Sequence, residues 1–403
     1  MPRSLRRVLP TALAVLAPLA ALISVATPSA SAAKLPPIKH VWIIMLENEN
    51  YNYTFGAAGQ KFSPYLAETL PKEGALLKDY YGTGHDSLDN YVASVSGQAG
   101  NYTLNEDCSI FAPFIQFGGE NYDDWTKYGQ LSGDGCVFPA RAAGKPVLTV
   151  GNQLSAKGLT WKQYSQDMGN DPKRDGTVQT GEGPACGHPQ LGGTDYTDST
   201  APKNDSYATR HNGFMYFESV IGNKALCNKH VVSLTPLTKD LESVSTTPDY
   251  SFITPNTCYD GHDWPKCQNG TAGRLPKVEV FLKEWIPKIM ASPAYKKNGM
   301  ILITTDEAGD DSVAGACCGE VDGLGFDDPS HPNLNEPGLY GPGGGKVGAI
   351  VLSPFVKPGT VSARPYNHYS QLATVEDLFG LPLLGDAKQP QVKPFGSDVF
   401  THA

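Results

Sequence analysis

Glu47-Asn48, Asp260-Gly261-His262-Asp263 and Asp306-Glu307 each stand just beyond a short apolar run, where the chain turns into a polar loop. Carboxylates, a carboxamide and an imidazole brought to one edge make the oxygen- and nitrogen-rich donor set that a hard or borderline divalent cation needs. Each group alone reads as well as a solvated loop carboxylate; their recurrence at three run ends points to a shared site. A fourth segment, Gly84-His85-Asp86-Ser87-Leu88-Asp89-Asn90-Tyr91, offers a hydroxyl nucleophile. It leads into Tyr91, Val92 and Val95 at helical spacing with Gly97 as a stop, which puts Ser87 at a helix N-terminus. Free backbone N–H groups and the helix dipole favour an anion such as phosphate there. A serine at that position can equally do no more than cap the helix, and the local sequence leaves both roles open.

The apolar runs predict the elements that must hold these groups. His40 to Leu46, Tyr250 to Thr254, Met300 to Thr305 and Val347 to Ser353 are continuous apolar stretches of strand length, the pattern of parallel strands buried on both faces. Ala75 to Tyr81 is a further strand candidate. Val278, Phe281, Leu282, Trp285 and Ile289 recur at helical spacing behind Pro276, and Leu372, Val375, Leu378 and Phe379 mark a late helix that Gly380 ends. Strand, helix, strand is the unit of a doubly wound α/β sheet, mostly parallel with helices on both faces, and such sheets bind ligands beyond the carboxyl ends of their strands. The stretch from about 101 to 229 is polar, rich in Gly, Asp and Asn, and holds four of the eight cysteines. It reads as an insertion or cap on the sheet.

Residues 1–32 read as an export signal, with Arg3, Arg6 and Arg7 before an apolar stretch and Ala30-Ser31-Ala32 as a cleavage site. Paired Arg6-Arg7 leaves general secretory and twin-arginine export both open. No later window is long and apolar enough to span a membrane. The formal charge of −9 becomes −12 once the three signal arginines are gone, and no basic cluster offsets it. That balance argues against nucleic acid or an anionic membrane as a standing partner, so any phosphate chemistry must rest on local design. Eight cysteines in an exported chain predict disulfides. Cys258 and Cys267 close a short loop and suit a local bridge, whereas adjacent Cys317 and Cys318 are expected to reach separate partners.

Taken together, Glu47-Asn48, His85-x-Ser87-x-x-Asn90-Tyr91, Arg210-His211-Asn212, Asp306-Glu307, the Gly343 to Gly348 run through Ser353-Pro354, and Asn367-His368-Tyr369 resemble one family. It is the bacterial phosphoesterase family of secreted acid phosphatases and non-specific phospholipases C, within the alkaline phosphatase superfamily. The resemblance spans about Lys39 to Leu381 and implies one phosphoesterase domain over residues 33–403. It implies Ser87 as the nucleophile, Asn90 on a phosphate oxygen, and Glu47, Asn48, Asp306 and Glu307 around a metal that activates the serine. Asp260, His262 and His368 resemble ligands of a second metal. The resemblance therefore implies one or two divalent ions, with zinc, calcium, manganese and iron all compatible, and a phosphoserine intermediate that water hydrolyses. Asp86 and Asp89 depart from the family pattern, where proline is frequent, and add negative charge beside the nucleophile.

His85 and His211 are each candidates for protonating the leaving oxygen or holding phosphate, and Arg210 for a bidentate phosphate contact; a structural histidine and a surface ion pair are the plainer alternatives. Within the family, Glu49-Asn50-Tyr51 after the Glu-Asn pair and the His85 to Tyr91 segment favour a phosphomonoesterase over a phosphodiesterase of phospholipase C type. A sulfatase would need a Cys or Ser in a C/S-x-P-x-R run, and none occurs. From another class, a secreted calcium- or carbohydrate-binding protein would also use acidic loops and disulfides. The expected partner is a phosphate ester, as a small molecule or a lipid head group.

Overall fold

Continuous apolar runs with no polar face must be covered on both sides, and here they form the middle of a ten-stranded sheet. The computed structural model describes residues 35–117, 128–197, 205–262, 274–309, 315–319 and 343–400. Its sheet strands are β1 (His40–Leu46), β2 (Ala75–Leu77), β3 (Trp161–Ser165), β4 (Val178–Thr180), β5 (Gly183–Ala185), β6 (Val231–Ser233), β7 (Tyr250–Thr254), β8 (Gly299–Thr305), β9 (Ala349–Leu352) and β10 (Thr360–Ser362). Their spatial order is β10-β2-β9-β8-β1-β7-β3-β6-β5-β4. The central five, β8, β1, β7, β3 and β6, pair in parallel. Every residue of β1, β7 and β8 is buried.

Three helices matter for the site: α1 (Ser87–Ser96), α2 (Leu275–Ala291) and α3 (His368–Phe379). Gly97 and Gly380 close α1 and α3 in the left-handed conformation that glycine adopts without a side-chain penalty. Pro276 stands in the first turn of α2, where its missing N–H is no loss. Asn367 caps α3 by accepting from the Ser370 N–H at 3.0 Å.

Two expectations change. The run at Val347 to Ser353 does form a strand, but β9 lies antiparallel to both β8 and β2. An apolar run carries no sign of its direction, so periodicity alone could not tell. The 101–229 stretch, read as an insertion or cap, supplies β3, which sits between β7 and β6 inside the parallel core, β5 beside β6, and the edge strand β4. Cys317 and Cys318 bond each other, not separate partners. The left-handed backbone at Cys318 (φ 65°) turns two successive side chains to the same side. The other described disulfides are Cys108–Cys136 and Cys186–Cys227. Cys258 is disulfide-bonded, while Cys267, Asp263 and residues 1–32, the segment expected to be an export signal, lie outside the described residues. No helix among the described residues is long and apolar enough to cross a membrane.

Candidate active site

Strands β1 and β8 are in register through Leu46 and Thr305, so the next residues, Glu47 and Asp306, must emerge side by side. Backbone bonds fix the junction: the Asp306 N–H donates to Leu46 O and the Glu47 N–H to Asp260 O, both at 2.9 Å. The loop after β7 thus brings Asp260 against the same pair. All three carboxylates have no solvent exposure.

Ser87 opens α1 directly over this cluster. Its hydroxyl donates to Glu47 Oε2 at 2.9 Å. One turn along, Tyr91 projects from the same helix face and donates its hydroxyl to the other oxygen, Glu47 Oε1. The Tyr91 ring stacks on His211, with centroids 5.4 Å apart and planes 6° from parallel. His211 in turn bridges two strand ends: its Nε2 lies 3.5 Å from Glu47 Oε2 and its Nδ1 3.3 Å from Asp260 Oδ2. His262 receives its backbone bond from the other side, its N–H donating to Asp260 Oδ1 at 2.8 Å.

Burial dominates the electrostatics here. It pushes Glu47 well above the usual carboxylate range, and the charges of Asp306 and Asp260 add to the shift. Asp306 is raised to about 6, again by burial, against the lowering effect of the N–H groups of Asn48 and Glu307. Glu307 is raised by burial and then by Asp306, Asp89, Asp86 and Asp107. His211 is pushed well down by burial, and next by Arg210 and His262, so its ring is neutral and ready to donate a lone pair. Buried carboxylates this close cannot all ionise unless something positive joins them.

The residues fit a divalent cation. Donor atoms of Glu47, His211 and His262 lie within 4.8 Å of one another. Beside them, Asn48 Oδ1 and Asp306 Oδ2 are buried and accept no hydrogen bond. A mixed set of carboxylate, carboxamide and imidazole donors suits a borderline ion such as zinc or manganese as well as a harder one. Sequence reasoning had divided these residues differently, with Glu47 at one ion, His262 at a second and His211 as an acid. The fold gathers the three at one point.

The remaining candidates are placed as follows. Asp306 Oδ1 accepts from the N–H groups of Asn48 at 3.0 Å and Glu307 at 2.6 Å. Asn48 adopts a left-handed backbone (φ 51°), which turns its amide N–H toward that carboxylate. His85 Nδ1 pairs with Glu307 Oε2. His368 stands behind the site: Nε2 contacts Asp306 O at 2.6 Å and Nδ1 contacts the Tyr80 hydroxyl at 3.1 Å. With both ring nitrogens engaged and burial lowering the ring to about 4, His368 braces the Asp306 turn.

Asn90 likewise turns inward. Its Oδ1 accepts from the N–H groups of Thr83 at 2.7 Å and Gly84 at 3.2 Å, and its Nδ2 donates to Gly84 O and Asp86 O, both at 2.9 Å. Asn90 therefore staples the loop that presents Ser87. Arg210 faces the site from a short helical turn, its Nη2 3.4 Å from His262 Nε2 and its Nε 3.3 Å from Asp107 Oδ2. Tyr91 as a hydrogen-bond donor, Tyr80 and Asp107 were not singled out from sequence. The first had a signal, the four-residue spacing from Ser87; the other two had none.

A mostly parallel sheet whose strand ends gather buried carboxylates, imidazoles and a helix-opening serine defines an α/β protein with its candidate site at that sheet edge. Residues 60–382 match the Phosphoesterase family, and the chain belongs to it. It is 25% identical over 351 residues to a probable acid phosphatase of Kluyveromyces lactis, covering 86% of this chain and 59% of that one. It is 23% identical over 357 residues to a phosphatidylinositol-3-phosphatase of Mycobacterium tuberculosis, covering 89% of this chain and 82% of that protein. Among solved structures, a protein in the alkaline phosphatase superfamily from Vibrio parahaemolyticus matches with a TM-score of 0.47 and 12% identity, over 90% of this chain and 72% of that one. This chain thus spans under two thirds of the Kluyveromyces protein.

Proposed function

We propose that the protein is a secreted, metal-dependent phosphomonoesterase of acid-phosphatase type, working through a phosphoserine at Ser87. The observation that carries this reading is the 2.9 Å bond from the buried Ser87 hydroxyl to Glu47 Oε2. That bond supports Ser87 as the nucleophile, beside the buried carboxylates of Glu47, Asp260 and Asp306. Membership of the Phosphoesterase family and the acid phosphatase relative support the same chemistry. The disulfides suit an oxidising compartment, in keeping with export.

Glu47, His211 and His262 would hold the ion, with Asn48 and Asp306 beside them; Asp260 orients His211, and Glu307 orients His85. A divalent ion bound there supplies Lewis acidity that lowers the pKa of the serine hydroxyl and balances the carboxylate charge. The Ser87 proton already points at Glu47 Oε2, its route of departure. Oγ then attacks phosphorus, forming the Oγ–P bond as the bond from phosphorus to the leaving oxygen breaks. His85, two residues from the nucleophile and paired with Glu307, supplies the proton that the leaving oxygen takes. Arg210 contacts the phosphoryl oxygens. Water then attacks phosphorus and gives a proton back to His85, while the Oγ–P bond breaks, Oγ retakes the proton held by Glu47, and phosphate leaves. Turnover of an aryl phosphate monoester, compared with the matching diester and repeated with a chelator, tests the reading. Preference for the diester would indicate the phospholipase C type instead, and no turnover of either would indicate a binding protein.

A further inference from the structure

The N-terminus of α1 is capped from an unexpected place. Asp86 occupies the cap position but makes no side-chain cap bond. The carboxylate of Asp107 supplies it, with Oδ1 accepting from the Leu88 N–H at 3.0 Å. The other oxygen of the same carboxylate, Oδ2, lies 3.3 Å from Arg210 Nε. One side chain therefore joins the helix that carries the nucleophile to the guanidinium across the site. Asp107 is only 20% exposed and Arg210 only 8%, so the pair is shielded from the solvent that weakens surface ion pairs.

The backbone around Asp107 is unusual in a way that serves this bridge. Asp107 and Cys108 are consecutive non-glycine residues in the left-handed region, at φ 53° and 55°. The Asp107 N–H closes a tight turn onto Leu104 O at 3.1 Å. Cys108 is then tied to Cys136 by a disulfide. The strained turn and its covalent tether fix where the carboxylate points. The ion pair with Asp107 restricts where the planar guanidinium of Arg210 can point, which is what a bidentate contact to a tetrahedral anion requires.

We infer that Asp107 is the positioning residue of the phosphate site, setting the position of Ser87 through Leu88 and the orientation of Arg210 through their ion pair. The inference rests on the reading of the site as a phosphoesterase centre with Arg210 on the phosphoryl group. It makes a prediction opposite to simple electrostatics. Removing a negative charge beside a phosphate site should tighten anion binding if charge alone mattered. If Asp107 acts by orienting Arg210, removing it weakens binding instead.

The test is Asp107→Asn, which keeps an oxygen for the Leu88 N–H but loses the charge that holds Arg210. KM for an aryl phosphate and Ki for inorganic phosphate are measured on the metal-loaded enzyme, with Arg210→Ala and the double variant alongside. Both constants should rise about tenfold in Asp107→Asn with kcat changed far less, and the double variant should be no worse than Arg210→Ala alone. Asp107→Ser, which also keeps an acceptor, should give the same rise and stands in if the Asn variant does not fold. Unchanged or tighter phosphate binding in Asp107→Asn, or effects that add to those of Arg210→Ala, would overturn the inference. A silent Arg210→Ala would instead overturn the assignment of Arg210 to phosphate, and the positioning role with it.

Discussion

Ser87 and Tyr91, one helical turn apart on α1, donate their hydroxyls to the two opposite oxygens of Glu47. The helix thereby grips the carboxylate that ends β1, and a single geometry fixes nucleophile and ligand together. Tyr91 also lies flat on His211, so its loss should loosen both Glu47 and the imidazole. Tyr91→Phe keeps the stack and removes only the hydrogen bond. It should lower metal affinity or activity about 10- to 100-fold, as loss of a hydrogen bond to a ligand does elsewhere. Metal titration of the chelator-treated variant checks this, and an unchanged affinity would show that the Tyr91 bond plays no part in holding Glu47.

Removing a ligand should act through the ion and not only through the rate. Glu47→Gln keeps the shape but removes the one carboxylate charge of the cluster formed with His211 and His262. Purified Glu47→Gln is expected to hold less metal than wild type, and its activity should fall at least about 100-fold. Elemental analysis beside a rate assay decides it; full metal content would remove Glu47 from the ligand set.

The tether behind Asp107 also contributes to stability. The Cys108–Cys136 bond spans a sequence separation of 28, and closing a loop of that size restricts the unfolded chain by about 3–4 kcal/mol on the chain-entropy estimate. Cys108→Ser with Cys136→Ser should lower stability by that order. Denaturant unfolding measures the loss, and no change in midpoint would contradict it.

Away from the site, α3 buries Glu376, whose carboxyl is raised to about 9 by burial, only partly offset by the Leu384 N–H and Lys388. In the folded state it keeps its proton up to that pH, whereas the unfolded chain loses it above the ordinary glutamate value of 4.5. Over that interval the unfolded state binds fewer protons, so this group's contribution to stability falls as pH rises. Glu376→Gln, which cannot ionise, should melt close to wild type near pH 4.5 and increasingly above it toward pH 8.5. Parallel melting curves at the two pH values would show that Glu376 ionises normally.

Much of the sheet and half of the site were legible because they depend on local pattern. Apolar runs followed by loops that carry carboxylates located β1, β7 and β8 and with them Glu47, Asp260 and Asp306. Glycine stops located the ends of α1 and α3. Direction and partnership were not legible: nothing in Ala349 to Leu352 says antiparallel, and nothing in Trp161 to Ser165 says it belongs at the heart of the sheet. The same limit applies to side chains. Asn90 and His368 have the residue types of a phosphate contact and a metal ligand, and nothing in the sequence signalled the hydrogen bonds they make to the Thr83–Asp86 loop and the Asp306 turn. His211 was recognised as chemical without its place being known, since its neighbours Glu47 and Asp260 come from strands distant in the chain.

The central claim is that the Ser87 hydroxyl forms the bond to phosphorus. The most direct measurement is the turnover of an aryl phosphate monoester by metal-loaded wild type and Ser87→Ala under the same conditions. The account predicts that the alanine variant, folded and still binding metal, loses about 10⁴-fold or more in kcat. Equal rates in the two proteins would contradict it.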